Sequence, residues 1–378
     1  MDYPIYVDTA ATTRVDPRVA ALITELFLEE YGNAGSRTHA YGAEANRAVQ
    51  QARASIAEVV AATPDEVTFT SGATESNNLA ILGLAGHGKA TGRRHLVTTA
   101  IEHKAVLEPM ARLADEGFEV TIVAPGRDGR VDAAAVLAAV RPDTLLVSVM
   151  HANNETGAIQ PIGQIAEGLE ADGPYFHIDA AQTFGKLLDE PRSPRIDLIS
   201  ASGHKVYGPK GVGTLIARRR KGRRLPLTPL MVGGGQERGL RPGTLPVPLI
   251  AGFGLASQLA LSERKNRAAR CAEIRSGALA AIGQIGALVH GGDIGLDHIL
   301  SFAVPGVDSE AAIVALKPYV AISNGSACTS ASYEPSHVLT AMKLDGDEIA
   351  GTVRMSWSHD TPDLPWVDVI AALKELKR

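Results

Sequence analysis

Short apolar segments that alternate with helical segments constrain the fold of this chain more than any other feature of its sequence. Six of them are predicted as buried strands: Glu66–Thr70, His95–Thr99, Phe118–Val123, Thr144–Met150, Tyr175–Ile178 and Ile196–Ala201. A helix predicted over Ala133–Val140 separates two of these strands. This alternation is typical of a mostly parallel, doubly wound α/β sheet. We therefore expect functional groups at the carboxyl ends of its strands.

The composition is that of an ordinary globular protein. Of the 378 residues, 45% are apolar and 21% are charged, and the formal net charge is -5. Such a charge attracts neither nucleic acid nor a membrane surface in general, so we predict no direct binding to either. The most apolar long segment, Pro248–Leu261, is too short to span a bilayer, and the N-terminus lacks a secretory signal pattern. With only two cysteines, we expect a cytoplasmic protein whose thiols stay reduced.

A lysine follows the last of the predicted strands. The segment Ser202-Gly-His-Lys205 comes directly after Ile196–Ala201, which places Lys205 at a strand end beside a cleft. A lysine amine that loses hydration holds its proton less tightly and becomes available for carbonyl chemistry, such as an imine with pyridoxal phosphate. A surface lysine is the alternative, since this short motif is a weak signal by itself. The cofactor also requires an acid beside its ring nitrogen, an anion site for its phosphate and a group over its ring.

The segment Ser71-Gly-Ala-Thr-Glu75 provides a candidate phosphate site. It connects the predicted strand Glu66–Thr70 to a helix that runs through Leu84. The free backbone N–H groups and the positive dipole end of a helix N-terminus attract anions, and the hydroxyl groups of Ser71 and Thr74 add donors. A capped helix start without a ligand is an equally good interpretation of this segment alone.

Three other strand ends carry polar side chains. Asp179 is followed by Ala-Ala-Gln182, and its carboxylate can keep a pyridinium nitrogen protonated or simply cap a helix. His103 lies where a strand meets a helix, a position at which a lone histidine is usually structural. The polar segment His151–Gly157 has the position expected of substrate-contacting groups.

The two cysteines lie in different surroundings. Cys271 shares a helical stripe with Ile274 and Ile282, so we expect it in the core. Cys328 lies in Ser323–Ser332, a run of small and polar residues without periodicity, and is predicted to occupy a mobile loop. A thiolate there can reach a substrate and carry a group away, although an incidental surface cysteine fits the residues equally well.

The last third of the chain adds further predictions. Arg354 alternates out of a strand, Val353–Trp357, and can bind a carboxylate through two hydrogen bonds or form a surface ion pair. The basic run Arg218–Arg224 is interpreted as a solvated hairpin tip, with a docking patch for an acidic partner or nucleic acid as the alternative. A flexible polar loop over Gly233–Thr244 precedes a helix predicted over Val247–Arg270, which would link two domains.

Motifs from Asp8 to Arg354 resemble those of NifS-like cysteine desulfurases in the class V aminotransferase family. The matching segments are Asp8-Thr-Ala-Ala-Thr-Thr13, Thr70-Ser-Gly-Ala-Thr-Glu-Ser76, Glu102-His-Lys-Ala-Val106, Asn153-Asn-Glu-Thr-Gly157, Asp179-Ala-Ala-Gln182, Ser202-Gly-His-Lys-Val-Tyr-Gly-Pro-Lys-Gly211, Arg241-Pro-Gly-Thr-Leu245 and Gly325-Ser-Ala-Cys-Thr-Ser330. Their order and spacing together are highly specific. Ala34 replaces a proline that the family often has, and Asn324 replaces a serine, but neither position carries an assigned role.

This resemblance implies fold type I of the pyridoxal phosphate-dependent transferases, like aspartate aminotransferase. Residues 14–255 would form the large cofactor-binding domain. Residues 1–13 and 256–378 would form a smaller α+β domain that carries the catalytic cysteine loop at about 320–335.

The resemblance also implies a site for pyridoxal 5'-phosphate. Lys205 would form the covalent bond to the cofactor, and Asp179 would pair with its ring nitrogen. Gln182 would pair with the ring oxygen, and His103 would stack over the ring. The phosphate would be bound by a further set of residues: Ala73, Thr74, Ser202, His204 and, from the second subunit of a homodimer, Thr244.

The implied substrate is L-cysteine, and no metal ion is expected. Asn154 and Arg354 would hold its carboxylate, with Asn33 nearby. Cys328 would attack the substrate sulfur and keep it as a persulfide while alanine leaves, with His103 as the proton shuttle. The sulfur would then pass to an acceptor: an iron–sulfur scaffold, a tRNA thiolation enzyme or a DNA sulfur modification enzyme.

Two other functions compete with this one. An aminotransferase or a selenocysteine lyase on the same fold would keep the cofactor and need no persulfide on Cys328. A non-catalytic docking protein would recruit partners through the basic run Arg218–Arg224. Docking alone does not require the matched set Thr74, His103, Asp179, Gln182 and Lys205.

Overall fold

A computed structural model of the chain describes residues 3–324 and 335–377. Its strands are β1 Ile5–Tyr6, β2 Val67–Thr70, β3 His95–Thr99, β4 Glu119–Val123, β5 Thr144–Met150, β6 Tyr175–Asp179, β7 Leu198–Ser202, β8 Gly213–Ala217, β9 Leu288–His290, β10 Ile299–Ala303, β11 Val320–Ala321 and β12 Thr352–Ser356. Its α-helices are α1 Pro17–Leu28, α2 Ala40–Val59, α3 Ala73–Gly83, α4 Ala85–Thr91, α5 Lys104–Asp115, α6 Ala133–Ala138, α7 Ile162–Gly168, α8 Val247–Gly283, α9 Ser309–Leu316, α10 His337–Ala341, α11 Gly346–Ala350 and α12 Trp366–Leu376.

The large sheet has seven strands in the order β2-β8-β7-β6-β5-β3-β4. Only β8 runs against its neighbours, so the predicted mostly parallel sheet is confirmed. Every residue of β5, β6 and β7 is buried, because helices cover both faces of a doubly wound sheet. The parallel strands therefore end at one edge, where β2, β5, β6 and β7 deliver Thr70, Met150, Asp179 and Ser202.

One long helix connects two hydrophobic cores. Helix α8 has 37 residues, which corresponds to a length of about 55 Å at 1.5 Å per residue. Its first half packs Ile250 and Phe253 into the core of the large sheet. Its second half packs Cys271 and Ile274 into a separate core that contains Trp357. The predicted end at Arg270 was therefore wrong, while the predicted burial of Cys271 is confirmed.

The second core is built on a smaller antiparallel sheet with the order β12-β10-β9. The chain start belongs to this part of the molecule, because β1 pairs in parallel with β11 and Val7 packs beside Phe302 and Trp357. The bounds that the resemblance implies, residues 14–255 for the large domain and residues 1–13 with 256–378 for the smaller one, stay a prediction.

The basic run is less solvated than the sequence indicated. Arg220 and Arg223 do form a tight turn, with Lys221 exposed at its tip. Arg218, however, is buried and donates hydrogen bonds to the carbonyls of Val60 and Pro191. The prediction of a solvated tip was wrong for Arg218, because its guanidinium satisfies carbonyl groups that would otherwise be buried without partners.

The polar loop before α8 is also anchored. Glu237 is buried and pairs with Arg53 of α2, whose Nη2 lies 2.6 Å from Glu237 Oε1.

Among the described helices, none combines the length and the hydrophobicity that crossing a bilayer requires.

Candidate active site

A cavity of about 650 Å³ opens at the edge where the parallel strands end. It brings together ten of the predicted site residues: Ala73, Thr74, His103, Asn154, Asp179, Gln182, Ser202, His204, Lys205 and Arg354. These residues come from six separated segments of the sequence. The large sheet gathers most of them, since parallel strands present their carboxyl ends on one side, while Arg354 comes from β12 of the smaller sheet.

Lys205 lies just beyond the end of β7, at the edge of the sheet where the parallel strands end. Strand β7 ends at Ser202, and one turn of 3₁₀-helix over Gly203–Lys205 carries the side chain to the cavity. The Lys205 amine donates to the carbonyls of Ala10 and Ala11, the latter at 2.9 Å. The N-terminal segment therefore orients the amine.

Asp179 is held as an acceptor at the end of β6. Its Oδ2 accepts from Asn77 Nδ2 at 2.7 Å, and its Oδ1 accepts from the N–H of Ala181 at 2.9 Å. Both donors are neutral, so neither contact compensates the charge of the carboxylate. Sequence reasoning missed Asn77, although it follows Ala73 and Thr74 at helical spacing and therefore shares their side of α3.

An anion cradle forms where β2 turns into α3. The helix begins at Ala73, so the first backbone N–H groups of α3 have no intrahelical acceptors. Gly213 of β8 lets this turn approach closely, because a Cβ at that position would lie 2.5 Å from Gly72 Cα. Ser202 and Lys210 add a hydroxyl group and a positive charge to the same wall of the cavity.

His204 contributes hydrogen bonding to this wall rather than charge. Burial and the nearby charges of Lys205, Lys210 and Lys186 lower the pKa of His204 to about 4. The ring is therefore neutral at pH 7. Its Nδ1 lies 3.1 Å from the hydroxyl oxygen of Thr12.

His103 is fixed at the N-terminus of α5. Its Nδ1 accepts from the N–H of Ala105 at 3.1 Å. A neutral imidazole whose Nδ1 accepts carries its hydrogen on Nε2. His103 therefore presents one N–H group that can exchange a proton with a group in the cavity.

A buried acid that sequence reasoning missed lies beside His103. Glu102 Oε1 accepts from the Thr99 hydroxyl at 2.7 Å and from the N–H of Met150 at 2.8 Å, while Oε2 has no partner among the described residues. Burial raises the pKa of Glu102 to about 8, so it is largely protonated at pH 7. The main-chain carbonyl of Glu102 also lies 2.9 Å from His337 Nε2.

Arg354 is buried, so the alternative of a surface ion pair was wrong. Its Nη2 donates to Asp8 Oδ1 at 2.7 Å and its Nη1 to the main-chain carbonyl of Asn154 at 2.9 Å. Its Nε is buried without a partner among the described residues. Asp8 thus orients the guanidinium while donor capacity remains for a second carboxylate.

Two predicted residues do not line this cavity, and a third lies outside the described residues. Asn33 lines a separate cavity of about 450 Å³ with Arg53 and Glu237. Thr244 is exposed in the loop before α8 and does not line the main cavity of its own chain. Cys328 lies outside the described residues.

The residues present fit pyridoxal phosphate. The cradle at α3 suits a phosphate, Asp179 suits a pyridinium nitrogen, and the Lys205 amine lies in the same cavity. Two buried amide oxygens, Asn77 Oδ1 and Gln182 Oε1, have no partner within the described part of the chain. Unsatisfied buried polar atoms are costly, which indicates that a polar group belongs in this cavity.

A parallel sheet that brings a lysine, an acid and an anion cradle to one edge defines a pyridoxal phosphate-dependent enzyme of fold type I. The chain belongs to the aminotransferase class-V family, whose sequence profile matches residues 5–363. The family predicted from the sequence motifs is thereby confirmed.

Individual proteins agree with this assignment. The cysteine desulfurase IscS of Anaeromyxobacter dehalogenans (strain 2CP-C) is 48% identical over 94% of this chain and 87% of its own length. The structure of a NifS-like protein superposes with a TM-score of 0.88 at 36% identity, covering 99% of this chain and 98% of that protein. SspA in complex with cysteine superposes with a TM-score of 0.82 at 38% identity, over 93% and 98% of the two chains. The predicted fold type and cofactor are confirmed.

Proposed function

We propose that this chain is a pyridoxal phosphate-dependent cysteine desulfurase that converts L-cysteine to L-alanine and carries the sulfur as a persulfide on Cys328. The observation that carries the proposal is one cavity in which Lys205, Asp179 and Arg354 meet. The cysteine desulfurase relative and the neighbour in complex with cysteine support the same substrate.

The chain's own residues would hold the cofactor at its phosphate and at its ring nitrogen. The N–H groups at Ala73 and Thr74, with Ser202 and His204, bind the phosphate. Asp179 keeps the ring nitrogen protonated, since a nearby carboxylate favours the positively charged form. The bound cofactor supplies an electron sink that accepts negative charge from the substrate carbon.

Arg354 orients the substrate by its carboxylate. Asp8 and the Asn154 carbonyl fix the guanidinium plane, so a carboxylate at the remaining donors is held in one direction. The amine of Lys205 can then take a proton from the substrate and return it. His103 presents its N–H group at the same cavity and can protonate the leaving carbon fragment.

The transfer of sulfur from the substrate to Cys328 requires no external oxidant. The Cys328 thiolate forms a bond to the substrate sulfur while the bond between that sulfur and the substrate carbon breaks. The electron pair of the broken bond stays with the carbon fragment, which gains a proton and becomes alanine. The chain keeps the sulfur as a persulfide, which a protein acceptor then takes.

The test is an anaerobic incubation with L-cysteine, followed by alanine analysis and intact mass measurement. Wild type should form alanine and gain the mass of one sulfur atom, and Cys328→Ala should do neither. Cys271→Ala is the matched control, because it removes the only other thiol in the chain, which is buried and has a pKa raised to about 11. That variant should still gain sulfur.

The other outcomes separate the competing functions. Alanine or another product without added sulfur on Cys328 would favour an aminotransferase or a selenocysteine lyase. A protein without a visible cofactor band that binds partners normally after Lys205→Ala would instead be a docking protein.

A homodimer is part of the proposal. Thr244 is exposed and does not line the main cavity of its own chain, and the preceding segment exposes Leu230, Met231 and Val232. Contiguous exposed apolar residues are typical of an interaction surface, which a second copy of this chain would cover. Light scattering that gives the mass of one chain at micromolar concentration would contradict this part.

A further inference from the structure

A second cavity lies directly behind the turn that carries Lys205. It has a volume of about 190 Å³ and is lined by Lys186, Val206, Cys271 and His298, among others. Val206 follows Lys205 in the sequence, so the two cavities are separated by little more than this turn. None of the roles described above involves Lys186, although its amine is enclosed by protein atoms.

A series of contacts links Lys186 to Lys205. The Lys186 amine donates to the main-chain carbonyl of Gln182 at 3.1 Å and lies 3.0 Å from His298 Nε2. The Gln182 side chain donates to the carbonyl of Ala10 at 2.9 Å. The same Ala10 carbonyl accepts from the Lys205 amine. Lys186 therefore holds the turn at Gln182. The Gln182 side chain in turn holds the Ala10 carbonyl that accepts from Lys205.

Charged and titratable groups surround Lys186: His204, Lys205 and Tyr207 after β7, Arg264, Arg267 and Cys271 on α8, and Asp297 and His298 before β10. The two histidines are neutral at pH 7, because burial and nearby positive charges lower the pKa of both rings. The Cys271 thiol is neutral as well, since burial raises its pKa to about 11. Arg267 is already paired with Glu263.

Among the charged groups around Lys186, Lys205 is the one that disfavours a positive charge on the Lys186 amine. The pKa of Lys186 falls to about 7, first because of burial and then because of the charge on Lys205. Electrostatic repulsion is mutual, so a charge on Lys186 also disfavours a positive charge on Lys205.

We propose that Lys186 is a positioning residue for Lys205: it anchors the Gln182 turn and, when charged, opposes a second positive charge on the Lys205 nitrogen. This inference rests on the proposed function, because it takes Lys205 as the residue that binds the cofactor. Its consequence is a Lys205 nitrogen that gives up its proton more readily than an isolated lysine would.

The experiment is a pH titration of the visible absorption of the holoenzyme without substrate. Lys186→Gln removes the charge and keeps an N–H donor, Lys186→Met removes both, and Lys186→Arg keeps the charge. With the repulsion removed, the Lys205 nitrogen holds its proton to higher pH. We expect the midpoint in Lys186→Gln and Lys186→Met to lie about one pH unit above that in Lys186→Arg, whose guanidinium stays charged over the whole titration.

Lys89→Gln is the surface control, because Lys89 is an exposed lysine paired with Glu116 and should leave the midpoint unchanged. Equal midpoints in Lys186→Gln, Lys186→Met and Lys186→Arg would overturn the inference. If Lys186→Met does not fold, the comparison of Lys186→Gln with Lys186→Arg decides. A wild-type protein whose visible band does not depend on Lys205 would contradict the proposed function instead.

Discussion

The buried ion pair between Arg53 and Glu237 offers the most quantitative test of the structure around the site. Arg53 Nη2 lies 2.6 Å from Glu237 Oε1, and the two side chains are only 6% and 1% exposed. Glu237 Oε2 also accepts from the N–H of Phe69 at 2.8 Å. The pair therefore ties α2 and β2 to the loop that continues to Thr244.

Replacing Glu237 by alanine should lower the free energy of unfolding by about 3–5 kcal/mol. The magnitude follows from leaving the Arg53 charge buried without its partner. The measurement is urea denaturation at pH 7, followed by circular dichroism. Asp172→Ala is the matched control: it breaks the exposed pair with Lys221, whose side chains are 71% and 76% exposed, and should cost less than about 1 kcal/mol.

Equal losses in Glu237→Ala and Asp172→Ala would refute this reasoning. A second comparison separates the charge effect from lost packing. The double substitution Arg53→Met with Glu237→Leu removes both charges, so it should cost less than the sum of the two single substitutions.

Three further predictions concern the cavity. Lys205→Ala should lower alanine formation by at least about 10²-fold, because the proton-transferring amine is lost, while dialysed protein retains cofactor through its phosphate site. Arg354→Lys should lower kcat/KM for L-cysteine by about 10-fold or more, since lysine keeps the charge beside Asp8 but loses the planar fork; unchanged kinetics would place the carboxylate elsewhere. The pKa of Glu102 is raised to about 8 by burial, so the folded state binds more protons than the unfolded state above about pH 4.5. The contribution of Glu102 to the free energy of unfolding is complete below that pH and is lost as the pH rises to about 8, by up to about 1.4 kcal/mol per pH unit. In urea denaturation at several pH values, Glu102→Gln should flatten this slope.

The positions of the site residues that lie at strand ends could be predicted from the sequence. Lys205, Asp179 and Thr74 each follow an apolar segment whose period and length indicate a buried strand. Because parallel strands share an edge, their placement in one cavity follows from local pattern and general topology.

Contacts between residues that are far apart in the sequence could not be predicted in this way. Asp8 pairs with Arg354 across 346 positions, and nothing in either local pattern indicates that pairing. Asn77 carried a weak signal in its helical spacing from Ala73, but its partner Asp179 lies 102 positions away. The link from Lys186 to Lys205 passes through Ala10 and therefore requires three segments in place.

The sequence by itself determined the elements and the chemistry of the residue types: short apolar runs become buried strands, and glycine-rich turns follow them. These properties depend on neighbours within a few positions, so they can be seen without a fold. Tertiary structure alone decided which groups are charged and which are neutral. The pKa values of Glu102, Lys186 and His204 depart from their ordinary values because burial and distant charges act on them. Those effects depend on distance in space, which a linear pattern does not contain.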